Sequence, residues 1–133
     1  MNAFIDTNIL IYAMERHPEF GEKAGKVIEM VDNGEVSGLV SSLVLLDICW
    51  YLESKEQVDV MKRVIDVLDE SRLRVVEVTG ADVAEAVELR PVYKNVDLND
   101  LVNYCIMVRL GVRNVYTNDS HFNQLPDNSP HFS

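Results

Sequence analysis

Apolar residues along the chain fall into two rhythms. Short unbroken runs at residues 2–5 (NAFI), 36–40 (VSGLV), 73–78 (LRVVEV) and 112–117 (VRNVYT) predict four strands. Between them the apolar positions recur at helical spacing. Thr7 or Asn8 caps a predicted helix through about Met14, and His17-Pro18 breaks it. Phe20, Ala24, Val27, Ile28 and Val31 mark a second helix, ended by Asn33-Gly34. Ser41 and Ser42 cap a third, over LVLLDICWYLES. Val58, Met61, Val64, Ile65 and Leu68 mark a fourth. Thr79 caps a fifth through about Leu89, ahead of Pro91. Asp97 opens a sixth, from Leu98 to Leu110, stopped by Gly111. Residues 123–133 (NQLPDNSPHFS) read as an irregular tail.

Strands and helices alternate throughout, and the strand runs do not alternate in polarity. That pattern predicts an α/β fold whose mainly parallel sheet is covered on both faces. Neither a linker nor an internal repeat divides the chain, so residues 1–133 are expected to form one domain. In open sheets of this class ligands gather at the carboxyl ends of the strands, which sets the test for any candidate site.

Composition narrows the picture. Hydrophobic content of 47% fits a globular chain, and no apolar run reaches the roughly 20 residues a membrane helix needs. The first residues lack the basic stretch of a signal peptide. Cys49 and Cys105 both lie in apolar surroundings and read as free buried thiols, so a cytoplasmic setting is expected. A net charge of -10 argues against broad electrostatic adhesion to nucleic acid. It leaves nucleic acid open as a substrate wherever acids gather around divalent cations.

Four acids stand out by position. Asp6 follows the first strand, Asp47 lies about a turn into the third helix, Asp100 is in the first turn of the sixth, and Asp119 follows the fourth strand. Each has a plain alternative. Asp6 and Asp119 read equally as helix caps, and Asp97 and Asp100 as acids placed at the positive end of a helix. Asp47 resists such a reading: its neighbours are Leu45, Leu46, Ile48, Cys49 and Trp50, and no Lys or Arg occurs from Leu39 to Ser54. Four carboxylates brought to about 5 Å repel by roughly 3 kcal/mol per pair at an effective dielectric of 20. Divalent ions or protons must neutralise such a cluster. Oxygen-only ligands select Mg²⁺ or Mn²⁺ over zinc. His17, His121 and His131 form no zinc spacing with the cysteines, and phosphate-loop, dinucleotide and serine-hydrolase motifs are missing.

The set FIDTNILIY, VSSLVLLDICWYL, DLNDLVNYCIMVRLGV and VYTNDSHF resembles a PIN domain, the nuclease fold of VapC-type toxins and several RNA-processing enzymes. The resemblance runs from Asn2 to Phe122. It implies a three-layer α/β/α fold with four to five strands. It also implies metal ligation by Asp6, Asp100 and Asp119, a catalytic role for these three and Asp47, and supporting or substrate-orienting roles for Asn8, Asp97 and Thr117. Asp47 stands where the family usually has Glu, a departure that weakens or reroutes its contribution. Asn103 and Tyr104 replace the small residues usual there, implying a tighter cleft. Lys94, Arg109 and Arg113 are candidates for touching substrate phosphates, with solvated surface as their default reading.

The function so implied is a Mg²⁺- or Mn²⁺-dependent endoribonuclease, the toxin of a VapBC-type pair, with RNA as substrate, an antitoxin partner and a homodimeric state. The alternatives are an RNA-processing PIN nuclease and a non-catalytic interaction module with a weakened metal site. A DNA-cleaving flap- or exonuclease-like enzyme is weaker, since no aromatic or basic platform for single strands is apparent.

Overall fold

Five strands, β1 (Asn2–Ile5), β2 (Ser37–Ser41), β3 (Arg74–Val76), β4 (Asn114–Tyr116) and β5 (Ser129–His131), form one sheet in the order β3-β2-β1-β4-β5. Every pairing is parallel; Phe4 of β1 lies between Leu39 of β2 and Val115 of β4. This computed structural model describes residues 1–132. Ala3, Phe4 and Ile5 are wholly buried, as a central strand covered on both faces requires.

Helices α1 (Thr7–Glu15) and α2 (Gly21–Asp32) connect β1 to β2, and α3 (Ser42–Ser54) and α4 (Met61–Glu70) connect β2 to β3. They pack in the series α2, α1, α3, α4. Helices α5 (Gly80–Leu89) and α6 (Leu98–Leu110) carry the chain from β3 back across the sheet to β4, and pack on each other. Right-handed crossovers running in opposite directions from β1 place these two groups on opposite faces, giving three layers. Helix starts follow local chemistry. Ser41 Oγ accepts the Val44 N–H, and Thr79 and Asp82 form a reciprocal capping box on α5. Helix α6 stops because Gly111 takes φ +69°, a left-handed conformation that a side chain resists.

The sequence-predicted helices and four of the strands are present, with shorter β3 and β4 than their apolar runs suggested. The fourth helix begins later, at Met61, after a 3₁₀ turn over Val58–Val60. The irregular tail is a correction: it holds β5, paired in register with β4 (Val115 with Pro130, Tyr116 with His131), after a 3₁₀ turn at Ser120–Gln124. Pro130 hid this strand, because a ladder position facing a neighbour on both sides excludes proline. At the sheet edge its missing N–H is harmless. Among the described residues no helix is long and apolar enough to cross a membrane. Cys49 and Cys105 are both free, the second buried and the first only partly so.

Candidate active site

The strand order fixes where a site belongs. From β1 the chain runs outward to β2 and β3, then returns to the other side of β1 as β4. The carboxyl ends of β1 and β4 therefore flank the point where connection direction reverses, the crevice in which open parallel sheets bind ligands. Asp6 leaves β1 there, its N–H donating to the Tyr116 carbonyl of β4 at 2.9 Å. Thr117, Asn118 and Asp119 leave β4 at the same place.

Asp6 is buried, with 6% of its surface exposed. One carboxylate oxygen accepts the Thr7 N–H at 2.8 Å, capping α1; the other accepts the Thr117 hydroxyl at 2.7 Å. The Thr117 oxygen in turn accepts the Asp119 N–H at 3.0 Å. Asp119 caps the following 3₁₀ turn by accepting the His121 N–H at 2.8 Å. Both acids are therefore helix caps, and they are also linked to each other through Thr117.

Asp100 joins them from the first turn of α6, within hydrogen-bonding reach of the Asp119 carboxyl. Burial, the charge of Asp6, that contact, and the charges of Asp119 and Asp97 push the Asp100 carboxyl up to about 9. Burial also raises Asp6, and the nearby Asp119 charge adds to it, while the hydrogen bonds from Thr117 and Thr7 pull the other way. Asp47 is half-buried on α3 and is pushed up to about 6 by burial, with the Asp6 charge adding and a Thr7 hydrogen bond opposing. Asp6, Asp100 and Asp119 thus meet electrostatically, with Asp47 on one flank and Asp97 on another.

Asp47 has polar company after all. Thr7 Oγ1 and Asn99 Nδ2 each donate to it at 3.4 Å, long and weak contacts. Asn99 and His121 escaped the sequence reading. His121 Nδ1 lies 3.1 Å from Asp119 Oδ1, and its place two residues after a strand-end acid was the available signal. Asp97 begins α6 but makes no side-chain cap; it is exposed and reaches the group through its charge on Asp100. Asn8 follows in the first turn of α1, where its side-chain oxygen is buried without a hydrogen-bond donor.

The basic candidates stand elsewhere. Arg109 grips buried Asp82 with Nε at 3.1 Å and Nη2 at 3.0 Å, and donates to the Glu77 carbonyl. Its guanidinium is committed to α5 rather than to a phosphate. Arg113 precedes β4, at the opposite edge of the sheet from the acids. Lys94 is exposed in the α5–α6 connection. Asn103 accepts the Ser41 hydroxyl at 2.6 Å and Tyr104 donates to the Pro126 carbonyl at 3.0 Å, so both are tied into the packing of α6.

The donor set suits a hard divalent ion: carboxylates, an orphaned amide oxygen on Asn8 and no thiol or zinc-type imidazole set. Among the described residues no three His, Cys, Asp or Glu side chains meet as a ready-made cation cage. The Asp6 and Asp119 carboxyls are already engaged by hydrogen bonds from Thr7, Thr117 and the His121 N–H.

The PIN domain family pattern matches residues 3–128 of the chain. A search of curated proteins returned no match. Among solved structures, the chain is similar to VapC20 of Mycobacterium tuberculosis, a sarcin-ricin loop cleaving toxin. The TM-score is 0.77 at 18% identity, covering 92% of this chain and 93% of that one. It is similar to a chain of VapBC2 from Rickettsia felis bound to a promoter DNA fragment, with TM-score 0.72, 19% identity and 98% of both chains covered. A toxin–antitoxin complex from Klebsiella pneumoniae gives TM-score 0.71 at 20% identity over 96% and 95%. At these identities the structural likeness speaks for the fold. The family match spans nearly the whole sequence and includes both strand-end acids of the crevice, and by it this chain belongs to the PIN domain family.

Proposed function

We propose that this chain, acting as a single domain, is a metal-dependent endoribonuclease that hydrolyses RNA phosphodiester bonds, the cytoplasmic toxin of a VapBC-type toxin–antitoxin pair. What supports the reading is that Asp6 and Asp119 leave the adjacent strands β1 and β4 at one crevice, joined through Thr117, and that their charges bear on buried Asp100, pushed up to about 9. An acidic group of that kind is poised to exchange its proton for a cation. Asp6, Asp100 and Asp119 would hold Mg²⁺ or Mn²⁺, which supplies an activated water and stabilises charge on the leaving oxygen. Thr117 fixes the Asp6 carboxylate, Asn8 offers a free amide oxygen, and Asp47 and Asp97 set the charge around the crevice. The VapC20 likeness supports RNA as the substrate.

Partner surface is available. Leu46 and Trp50 are exposed on α3 opposite its core stripe of Val44, Ile48 and Leu52, and a groove of about 640 Å³ runs beside them along Leu45, Val83 and Leu98. This face would meet a second copy of the chain, which sedimentation of wild type against Trp50→Glu tests; equal monomer mass for both refutes it. A second apolar groove, bounded by Leu10, Met14, Ile28, Val64 and Val67, offers room for an antitoxin segment.

The want of a ready-made cage favours one rival, a PIN fold retained as a non-catalytic interaction module. The two readings separate in a cleavage assay on structured and unstructured RNA with Mg²⁺, Mn²⁺ or EDTA, using wild type and Asp6→Asn. Cutting that requires the ion and vanishes in the variant is the expected result. Cutting that survives EDTA, or is equal in Asp6→Asn, overturns the nuclease proposal.

A further inference from the structure

After β5 the chain packs against the two helices that follow β1. Residue Phe132 takes φ +111°, a conformation that L side chains rarely adopt, and its ring is buried between α1 and α2. It stacks on Tyr12 with ring centroids 6.1 Å apart and planes 19° apart, and meets Phe20 at 6.1 Å. Lys23 Nζ caps it, 5.1 Å from its centroid. Tyr12 is held on its other sides by Phe20 at 5.1 Å and His17 at 5.0 Å. His17 is itself fixed, Nδ1 accepting the N–H groups of Glu19 and Phe20.

This aromatic group ends in a polar contact. Asn118 Nδ2 donates to the Tyr12 hydroxyl at 3.1 Å. Asn118 stands between Thr117, bonded to Asp6, and Asp119, whose charge bears on Asp100. On the far side the Thr117 N–H donates to the His131 carbonyl of β5 at 3.1 Å. The three-residue loop is thus held by Asp6, by β5 and by Tyr12. Of these anchors, only the Tyr12 contact acts on the side chain next to Asp119. A neutral hydrogen bond in a partly exposed place has modest effect on folding, but it limits the arrangements of a loop whose carboxylate must turn to take up an ion.

We infer that Tyr12 is a positioning residue for Asp119, acting through Asn118, and that Phe132 clamps the Tyr12 ring in place. The inference rests on the reading of the acids as a metal site. It adds a requirement that the acids alone do not impose: the tail strand and the α1 aromatic group must be docked for full cation affinity.

The test is Mn²⁺ titration by calorimetry on the whole chain, with thermal melting alongside. Tyr12→Phe keeps the stacked rings and removes the hydroxyl. It is expected to weaken Mn²⁺ binding about threefold to tenfold with little change in melting temperature. Asn118→Ala is expected to match it, and the double variant to be no weaker than either single one, because both remove one contact. Phe132→Ala is expected to weaken binding at least as much. Wild-type affinity in Tyr12→Phe, or losses that add in the double variant, overturn the positioning role alone. No Mn²⁺ uptake by the wild type, or uptake unaltered in Asp6→Asn, overturns the metal reading and the positioning role with it.

Discussion

Asp100→Asn should stabilise the metal-free protein strongly at pH 8 and much less at pH 5. The Asp100 carboxyl is pushed from 3.8 to about 9 by burial and by Asp6, Asp119 and Asp97. A carboxyl raised in the folded state takes up a proton on folding, so its contribution to stability falls as pH rises above about 4 and continues to fall toward the folded value. At pH 5 the folded protein carries a neutral acid, which asparagine imitates in shape and charge. At pH 8 the folded acid is still mostly protonated while the unfolded one is ionised, so folding must take up a proton, a cost that asparagine does not carry. Each pH unit of that uptake costs about 1.4 kcal/mol, so the cost grows by about 4 kcal/mol between pH 5 and pH 8. Removing it should raise the melting temperature by about 12–16 °C more at pH 8 than at pH 5, taking about 3–4 °C per kcal/mol for a domain of this size. Titrating groups that do not bear on Asp100 contribute equally to both proteins and cancel in the difference. Mn²⁺ should restore the balance by stabilising wild type at pH 8 by mass action, and do little for Asp100→Asn. Calorimetric melting of both proteins at the two pH values, with and without Mn²⁺, decides the matter. An equal difference at pH 5 and pH 8, or a variant less stable at pH 8, would refute the picture of mutually strained acids.

Asp82→Ala removes the α5 capping box and strands Arg109, and should destabilise by about 2 kcal/mol at pH 7, read by urea unfolding. Burial pushes the Asp82 carboxyl up, but hydrogen bonds from Arg109 and Thr79 more than offset it, so the net position is below 3.8. The stabilisation is therefore in place at neutral pH and fades as the pH falls below about 4, where the wild type and variant should converge. Asp47→Glu, which lengthens the acid by one methylene beyond its weak 3.4 Å contacts with Thr7 and Asn99, should raise metal-dependent RNA cleavage severalfold. Unchanged or reduced cleavage would show that the shorter acid is no handicap.

Elements whose signals are local were readable from the chain. Helix α6 carries an acid at its start, seven consecutive buried positions from Leu101 to Met107, and Gly111 in a left-handed stop; α5 carries Thr79 and Asp82 at the spacing of a capping box. Within NAFI the unbroken apolar run Ala3, Phe4 and Ile5 named the central strand, because a strand buried on both faces shows no polar alternation. β5 failed the same test. Its stability comes from one neighbour, β4, and from Phe132 packed on α1 and α2, and neither partner is visible within SPH.

The acids show the same division. That Asp6 and Asp119 end strands could be inferred from their flanks, but their meeting depends on β4 returning beside β1, a property of strand order. The strand order also decides what the basic residues do. Arg109 lies nine residues after Asp100, two and a half turns down α6, and so reaches Asp82 on the packed neighbour α5 instead of the crevice. Spacing alone placed it near the acids in sequence, and helix geometry moved it away. Asp47 illustrates the reverse. Within its own helix it looks like a charge without a partner, yet β2 lies next to β1, so α3 starts beside the start of α1 and Thr7 comes within reach. A carboxylate that appears unaccompanied in a sequence is a statement about its neighbours along the chain; whether it needs a cation depends on which strand ends the sheet sets side by side.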